Sequence, residues 1–159
     1  MSKETSIPAV GKPAPAIKLP ASDGTTFNLA DHKDKTVIVY FYPKADTPGC
    51  TKEACGFNDT LAKFKKMGVP VVGISPDPVK DVTKFGEKFS LQFPLLADED
   101  HAVCEKYGVW IEKSMYGKTY MVVARTTLVI KSGKIAHIFE KVKPEGHEAE
   151  VLAYLESAK

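Results

Sequence analysis

The sequence reads as an α/β protein built on a central mixed sheet with flanking helices, and three observations carry that reading. Thr36 to Tyr42 is an unbroken run of β-branched and aromatic residues, which suits a strand buried on both faces. From Thr51 to Met67, the apolar residues Ala54, Phe57, Leu61, Phe64 and Met67 recur at spacings of three and four, the period of one helix face. Strand-like and helix-like segments then alternate, which implies parallel pairing through crossover helices.

The remaining elements follow in order. Gly11 to Pro15 is a loop leading into Ile17-Lys18-Leu19, the turn Ser22-Asp23-Gly24 and the alternating stretch Thr25 to Leu29, the pattern of an N-terminal β-hairpin. Gly68 stops the Thr51 to Met67 helix. Val69 to Ser75 is a second β-rich run, and a helix from about Val79 to Phe89 starts behind Asp77 with Pro78 in its first turn. After Phe93 to Ala97, a short helix spans Asp100 to Tyr107 and closes at Gly108. Strands at Tyr120 to Val123, Thr126 to Ile130 and Ile135 to Phe139, with a turn at Ser132-Gly133, precede a last helix from about Gly146 to Ser157. A buried first strand that delivers its end to a helix, with a hairpin and a helix at the C-terminus, is the order of a thioredoxin-like fold.

Composition narrows the function. The 159 residues are 43% hydrophobic and 26% charged, enough for one core, and no repeat or linker divides them, so one domain over 1–159 is expected. Twenty-two basic against 20 acidic residues, interspersed, lack the basic stripe of a nucleic-acid binder. No apolar stretch is long enough to span a membrane, and Met1 to Pro8 has no apolar leader core, so a cytoplasmic, membrane-free chain is expected. Three cysteines are not the disulfide framework of a small secreted module and fit a reducing compartment. Among the basic residues one stands apart: Arg125 is the sole arginine among 22.

Cys50 follows Pro43-Lys44-Ala45-Asp46-Thr47-Pro48-Gly49, where the buried run gives way to a loop and a helix start. Backbone amides and the helix dipole favour an anion there, so a reactive thiolate is the first hypothesis. The competing reading is a small buried hydrophobe, the usual fate of a lone cysteine.

The spacing of Pro43, Thr47 and Cys50 resembles the peroxidatic signature of the peroxiredoxins. The longer run Phe41-Tyr42-Pro43-Lys44…Thr47-Pro48-Gly49-Cys50-Thr51…Glu53-Ala54-Cys55 is similar to the bacterioferritin comigratory protein, or peroxiredoxin Q, subfamily. Asp98 to His101, Tyr116-Gly117-Lys118 and Arg125-Thr126-Thr127 extend the likeness over roughly Lys12 to Leu155. The resemblance implies reduction of hydroperoxides by the Cys50 thiolate. It implies that Arg125 holds that thiolate and shares charge with the departing oxygen, while the Thr47 hydroxyl and the amides of Gly49 and Cys50 position the peroxide. Pro43 would shield the sulfur from water, and Glu53 would orient Arg125. A planar guanidinium contacts sulfur and oxygen at once, which an ammonium cannot. The plainer readings are a surface charge for Arg125, a turn or cap residue for Thr47, and a first-turn acid favourable to the dipole for Glu53.

Oxidation leaves Cys50 as a sulfenic acid, and a second thiol must condense with it before further oxidation becomes irreversible. Cys55 is the first candidate. In an ideal helix the two Cα atoms lie roughly 8.7 Å apart, beyond the roughly 7 Å limit for a disulfide, so the first helical turn must unwind. Cys104 is a separate candidate whose plain reading is core packing. His32, His101, His137 and His147 read as solvated or locally hydrogen-bonded, and Trp110 and Tyr116 as core aromatics. The Cys50-to-Cys55 spacing is a poor match to a zinc site, so no metal and no bound cofactor is expected. Hydroperoxides, with thioredoxin or a similar dithiol reductant, are the expected partners of a monomer. The rivals are a thioredoxin-like disulfide oxidoreductase using Cys50 and Cys55, and a non-catalytic binding module.

Overall fold

The expected hairpin opens the chain in this computed structural model, which describes residues 7–157: β1 (Lys18–Pro20) pairs antiparallel with β2 (Thr26–Asn28). Met1 to Ser6, where most of the leader reading falls, lie outside the described residues. A short 3-10 turn, Leu29–His32, leads into β3 (Thr36–Phe41). Its side chains alternate between two cores. Val37, Val39 and Phe41 enter one apolar cluster with Leu19, Phe27, Cys104 and Tyr107, while Ile38 and Tyr40, with Tyr42 just past the strand, enter another with Cys50, Phe57, Phe85 and Val151. A strand with no polar face has to be covered on both sides, which is why it takes the centre of the sheet.

The helix expected over Thr51 to Met67 starts earlier and is broken: α1 spans Pro48–Asp59 and α2 spans Leu61–Lys66. Thr60 makes the break, because its hydroxyl donates to the Gly56 carbonyl at 2.6 Å and competes with the backbone ladder. The apolar periodicity runs through it, since Ala54, Phe57, Leu61 and Phe64 are all buried. Gly68, at φ 74°, ends α2 as expected.

β4 (Val71–Ser75) lies parallel to β3, and after α3 (Val79–Lys88), β5 (Leu95–Ala97) lies parallel to β4. Asp77 does not cap α3; Pro78 stands at the cap, and the Asp77 carboxylate turns to the loop before α1. Past α4 (Ala102–Lys106), a strand not foreseen from the sequence, β6 (Trp110–Met115), forms a hairpin with β7 (Lys118–Val123). Its turn is Tyr116-Gly117, both at positive φ, as a two-residue hairpin turn requires. Tyr116 is therefore 96% exposed at the tip and not a core aromatic. Mostly exposed, β6 carries no burial pattern that a sequence could display.

β8 (Thr126–Lys131) runs antiparallel to β3, and β9 (Lys134–Phe139) runs antiparallel to β8. The central sheet has the order β5-β4-β3-β8-β9 and is mixed. α5 (His147–Ser157) packs against α1 on the Cys50 side. The thioredoxin-like architecture, with central mixed sheet, flanking helices and N-terminal hairpin, is present.

Candidate active site

Strand β3 ends at Phe41, and its C-terminal end feeds the loop Tyr42 to Thr47, so the start of α1 lies beyond the carboxyl edge of the sheet, where open α/β folds place their sites. Two carboxylates hold this loop. Asp77 accepts from the Ala45 N–H at 2.7 Å and from the Ser75 hydroxyl at 2.8 Å, and Asp46, at φ 60°, pairs with Lys88 at 3.0 Å. Neither support is visible in sequence, because each joins residues about 30 or more positions apart. Pro43 is half-buried at the strand exit. Thr47 takes the N-cap position with extended backbone, but its hydroxyl donates to the Lys44 carbonyl at 2.9 Å and makes no cap bond to the helix.

Cys50 is the third residue of α1 and is 1% exposed. Arg125, just before β8, reaches across to this turn. Its Nη1 donates to Glu53 Oε1 at 2.8 Å, and its Nη2 lies 3.1 Å from where a Cβ on Gly49 would stand. Glycine at 49 thus lets the guanidinium lie against the backbone one residue before the sulfur. Burial opposes the charge on Arg125, yet Cys50 and Glu53 more than offset it and hold the guanidinium above its ordinary pKa. Glu53 is buried, and burial pushes its carboxyl up to about 7 against the pull of Arg125. Its Oε2 has no partner among the described residues. The helix N-terminus and the guanidinium converge on Cys50, an arrangement suited to negative charge on sulfur or on an oxygen bound beside it. A cleft of about 450 Å³ lined by Pro48, Gly49, Lys52, Lys143, Pro144 and Glu145 opens at this helix start.

Cys55 lies further along the same unbroken α1, half-buried, its thiol pushed up by burial and then by Asp59. Both cysteines are free thiols. Cys104 is also free and fully buried, but in the apolar cluster on the opposite face of the sheet from Cys50. Burial and Asp98 push its thiol far above the ordinary range. Of the four histidines, His147 is not solvated at all: it is fully buried at the start of α5, a placement its sequence context does not signal. Among the described residues no cluster of three metal-ligating side chains occurs, and no helix is long and apolar enough to cross a membrane.

Comparison with known proteins agrees with this geometry. The profile of the AhpC/TSA family matches residues 10–138. The putative peroxiredoxin bcp of Coxiella burnetii is 50% identical over 147 residues, covering 92% of this chain and 97% of that protein. Peroxiredoxin Bcp of Escherichia coli is 49% identical over 146 residues, covering 91% and 94%. Among solved structures, a mutant of the Xylella fastidiosa PrxQ matches with a TM-score of 0.91 at 32% identity, over 96% of this chain and 98% of that one. The bacterioferritin comigratory protein of Xanthomonas campestris matches with a TM-score of 0.88 at 37% identity, over 94% and 99%. The chain therefore belongs to the AhpC/TSA family, as a peroxiredoxin of the Bcp, or peroxiredoxin Q, type, and is a thiol-dependent peroxidase.

Proposed function

We propose that the protein reduces hydrogen peroxide and organic hydroperoxides at Cys50, resolves the product with Cys55, and is returned to the dithiol form by thioredoxin or a similar reductant. The observation that carries this reading is the Arg125 guanidinium, fixed by Glu53 at 2.8 Å and seated over Gly49 beside Cys50. The Cys50 thiolate attacks one peroxide oxygen and the O–O bond breaks. The sulfur becomes a sulfenic acid, and the departing oxygen leaves as water or an alcohol after taking up a proton. Arg125 faces the charge that develops on that oxygen, and the Thr47 hydroxyl with the amides of Gly49 and Cys50 orients the peroxide. Pro43 limits water at the sulfur, and Glu53 keeps the guanidinium in register. The Xanthomonas relative is described for alkyl peroxide reduction, which supports organic hydroperoxides as substrates here.

Condensation of the Cys55 thiol with the sulfenic acid forms the disulfide and releases water. An intact α1 keeps the sulfurs too far apart, so its first turns unwind during each cycle and refold on reduction. No bound cofactor enters these steps. A monomer is the proposed working unit, supported by the partial cover of the β9 edge by Gly11 to Ala14 through backbone bonds to Gly133 and Ile135. Three free thiols suit a reducing compartment such as the cytoplasm.

The test is peroxide consumption coupled to a thioredoxin system, run beside insulin disulfide reduction. Wild type should consume peroxide and leave insulin intact, Cys50→Ser should be inert, and a peptide map after one peroxide equivalent should contain a Cys50–Cys55 bond. Insulin reduction without peroxide loss would reassign the chain as a disulfide oxidoreductase, and a map lacking that bond would remove Cys55 from the resolving role.

A further inference from the structure

Two walls make the site: α1, which carries Cys50, Glu53 and Phe57 on its buried face, and the entry to β8, where Arg125 immediately precedes the strand and Thr127 lies in it. One strut between them is direct, the Glu53–Arg125 pair. A second runs through α5. His147, fully buried, places Nε2 2.7 Å from the Thr127 hydroxyl and Nδ1 3.2 Å from Glu150 Oε1. The edge-to-face packing of its ring against Phe57 of α1 and Phe139 of β9 has centroid distances of 5.6 and 5.4 Å. Thr127 is itself fully buried and pairs with Tyr40 of β3 through its backbone, so the hydroxyl that His147 grips belongs to the middle of the sheet, two residues from Arg125.

We infer that His147 is a positioning residue of the peroxidase site, tying α1 to β8 through Phe57 and Thr127 so that the Arg125 guanidinium stays aimed at the oxygen leaving Cys50. The inference rests on the peroxidase reading above. A single ion pair would let α1 pivot about Glu53, whereas a second contact a helical turn further along fixes its tilt as well. Burial holds the imidazole below its ordinary pKa, with Arg125 acting the same way against the opposing pull of Glu150 and Glu148, so near neutrality the ring is uncharged. A carboxylate at Nδ1 then assigns the ring proton to that nitrogen, leaving Nε2 to accept from the Thr127 hydroxyl. Phe57 and Phe139, which flank the ring, belong to an apolar cluster, where two apolar side chains would pack without the desolvation cost of this polar pair. A satisfied buried hydrogen bond sets one orientation where apolar packing tolerates several.

The experiment compares two reactions of Cys50 in the full-length protein: oxidation by hydrogen peroxide and alkylation by iodoacetamide, the latter followed at the Cys50 peptide by mass spectrometry. Both need the thiolate, but only the first needs a cation aimed at a departing oxygen, so their ratio isolates positioning from thiolate content and from general loosening. The expected result is an about tenfold lower ratio in His147→Leu. Thr127→Val should lower it in the same direction, and His147→Gln, which keeps an acceptor for Thr127, should restore it to within about twofold of wild type. An unchanged ratio in folded His147→Leu overturns the inference. Should that variant fail to fold, the isosteric Thr127→Val decides alone, and an unchanged ratio there overturns it equally. A wild type that alkylates at Cys50 but is not oxidised by peroxide sinks the peroxidase reading instead, a separate result.

Discussion

Arg125 is the only arginine, and its fork is used twice, toward Glu53 with one nitrogen and against Gly49 with the other. Lysine would keep the charge and lose the second direction. Arg125→Lys should therefore lower kcat/KM for hydrogen peroxide about 100-fold, the scale for removing one aimed donor, as read by stopped-flow Trp110 fluorescence. Glu53 yields a pH prediction. Burial lifts its carboxyl from the usual 4.5 to about 7, so between those values the folded protein keeps a proton that the unfolded chain releases. Its contribution then favours folding most below about 4.5, declines as pH rises to about 7, and is constant above. Denaturant titrations from pH 4 to 8 should show this decline in wild type relative to Glu53→Gln, and parallel curves would refute it. The Arg125–Glu53 pairing was implied only by the resemblance to the peroxiredoxins, since the two residues stand 72 positions apart. The loop supports from Asp77 and Asp46 were not, since their partners lie on other elements.

The proposed Cys50–Cys55 cycle asks helix α1 to be both rigid and breakable, and its composition suits both demands. Pro48 and Gly49 open it, Gly56 lies in its interior, and Thr60 diverts a hydroxyl onto the Gly56 carbonyl to end it. A Cβ on Gly56 would stand 2.9 Å from the Glu148 carboxylate, the end of a flexible side chain that can swing aside. Gly56→Ala should thus raise helix stability by up to about 1 kcal/mol and slow formation of the Cys50–Cys55 bond relative to Cys50 oxidation. Rapid-quench mass mapping measures both steps, and faster disulfide formation would contradict the unwinding model. Periodicity revealed the buried face of this helix but not its break, because Thr60 interrupts the backbone without disturbing the apolar spacing. β6 leaves no trace in the sequence for the opposite reason: four of its six residues are exposed, so burial imposes no pattern on it.

Across the molecule, the sheet divides two apolar clusters, with Cys50 among one and Cys104 among the other. A thiol on the far face cannot reach the sulfenic acid without dismantling the core. Cys104→Ser should accordingly leave peroxide turnover within about twofold of wild type, and thermal unfolding should report only a small loss, because the buried Asp98 carboxylate beside position 104 can accept from the serine hydroxyl. Abolished turnover in a folded Cys104→Ser would overturn this assignment. The chain's local order already contains the central strand, the helix faces, the thiol at a helix start and the singular arginine, because apolar period, turn residues and unusual residue types are properties of neighbours along the backbone. Folding alone settles that Glu53 meets Arg125, that Asp77 and Lys88 brace the loop, that His147 is sealed beneath α1, and that Cys104 faces away. Each of these depends on which distant segments share a face of the sheet, and side-chain packing in three dimensions leaves no periodic trace along the chain.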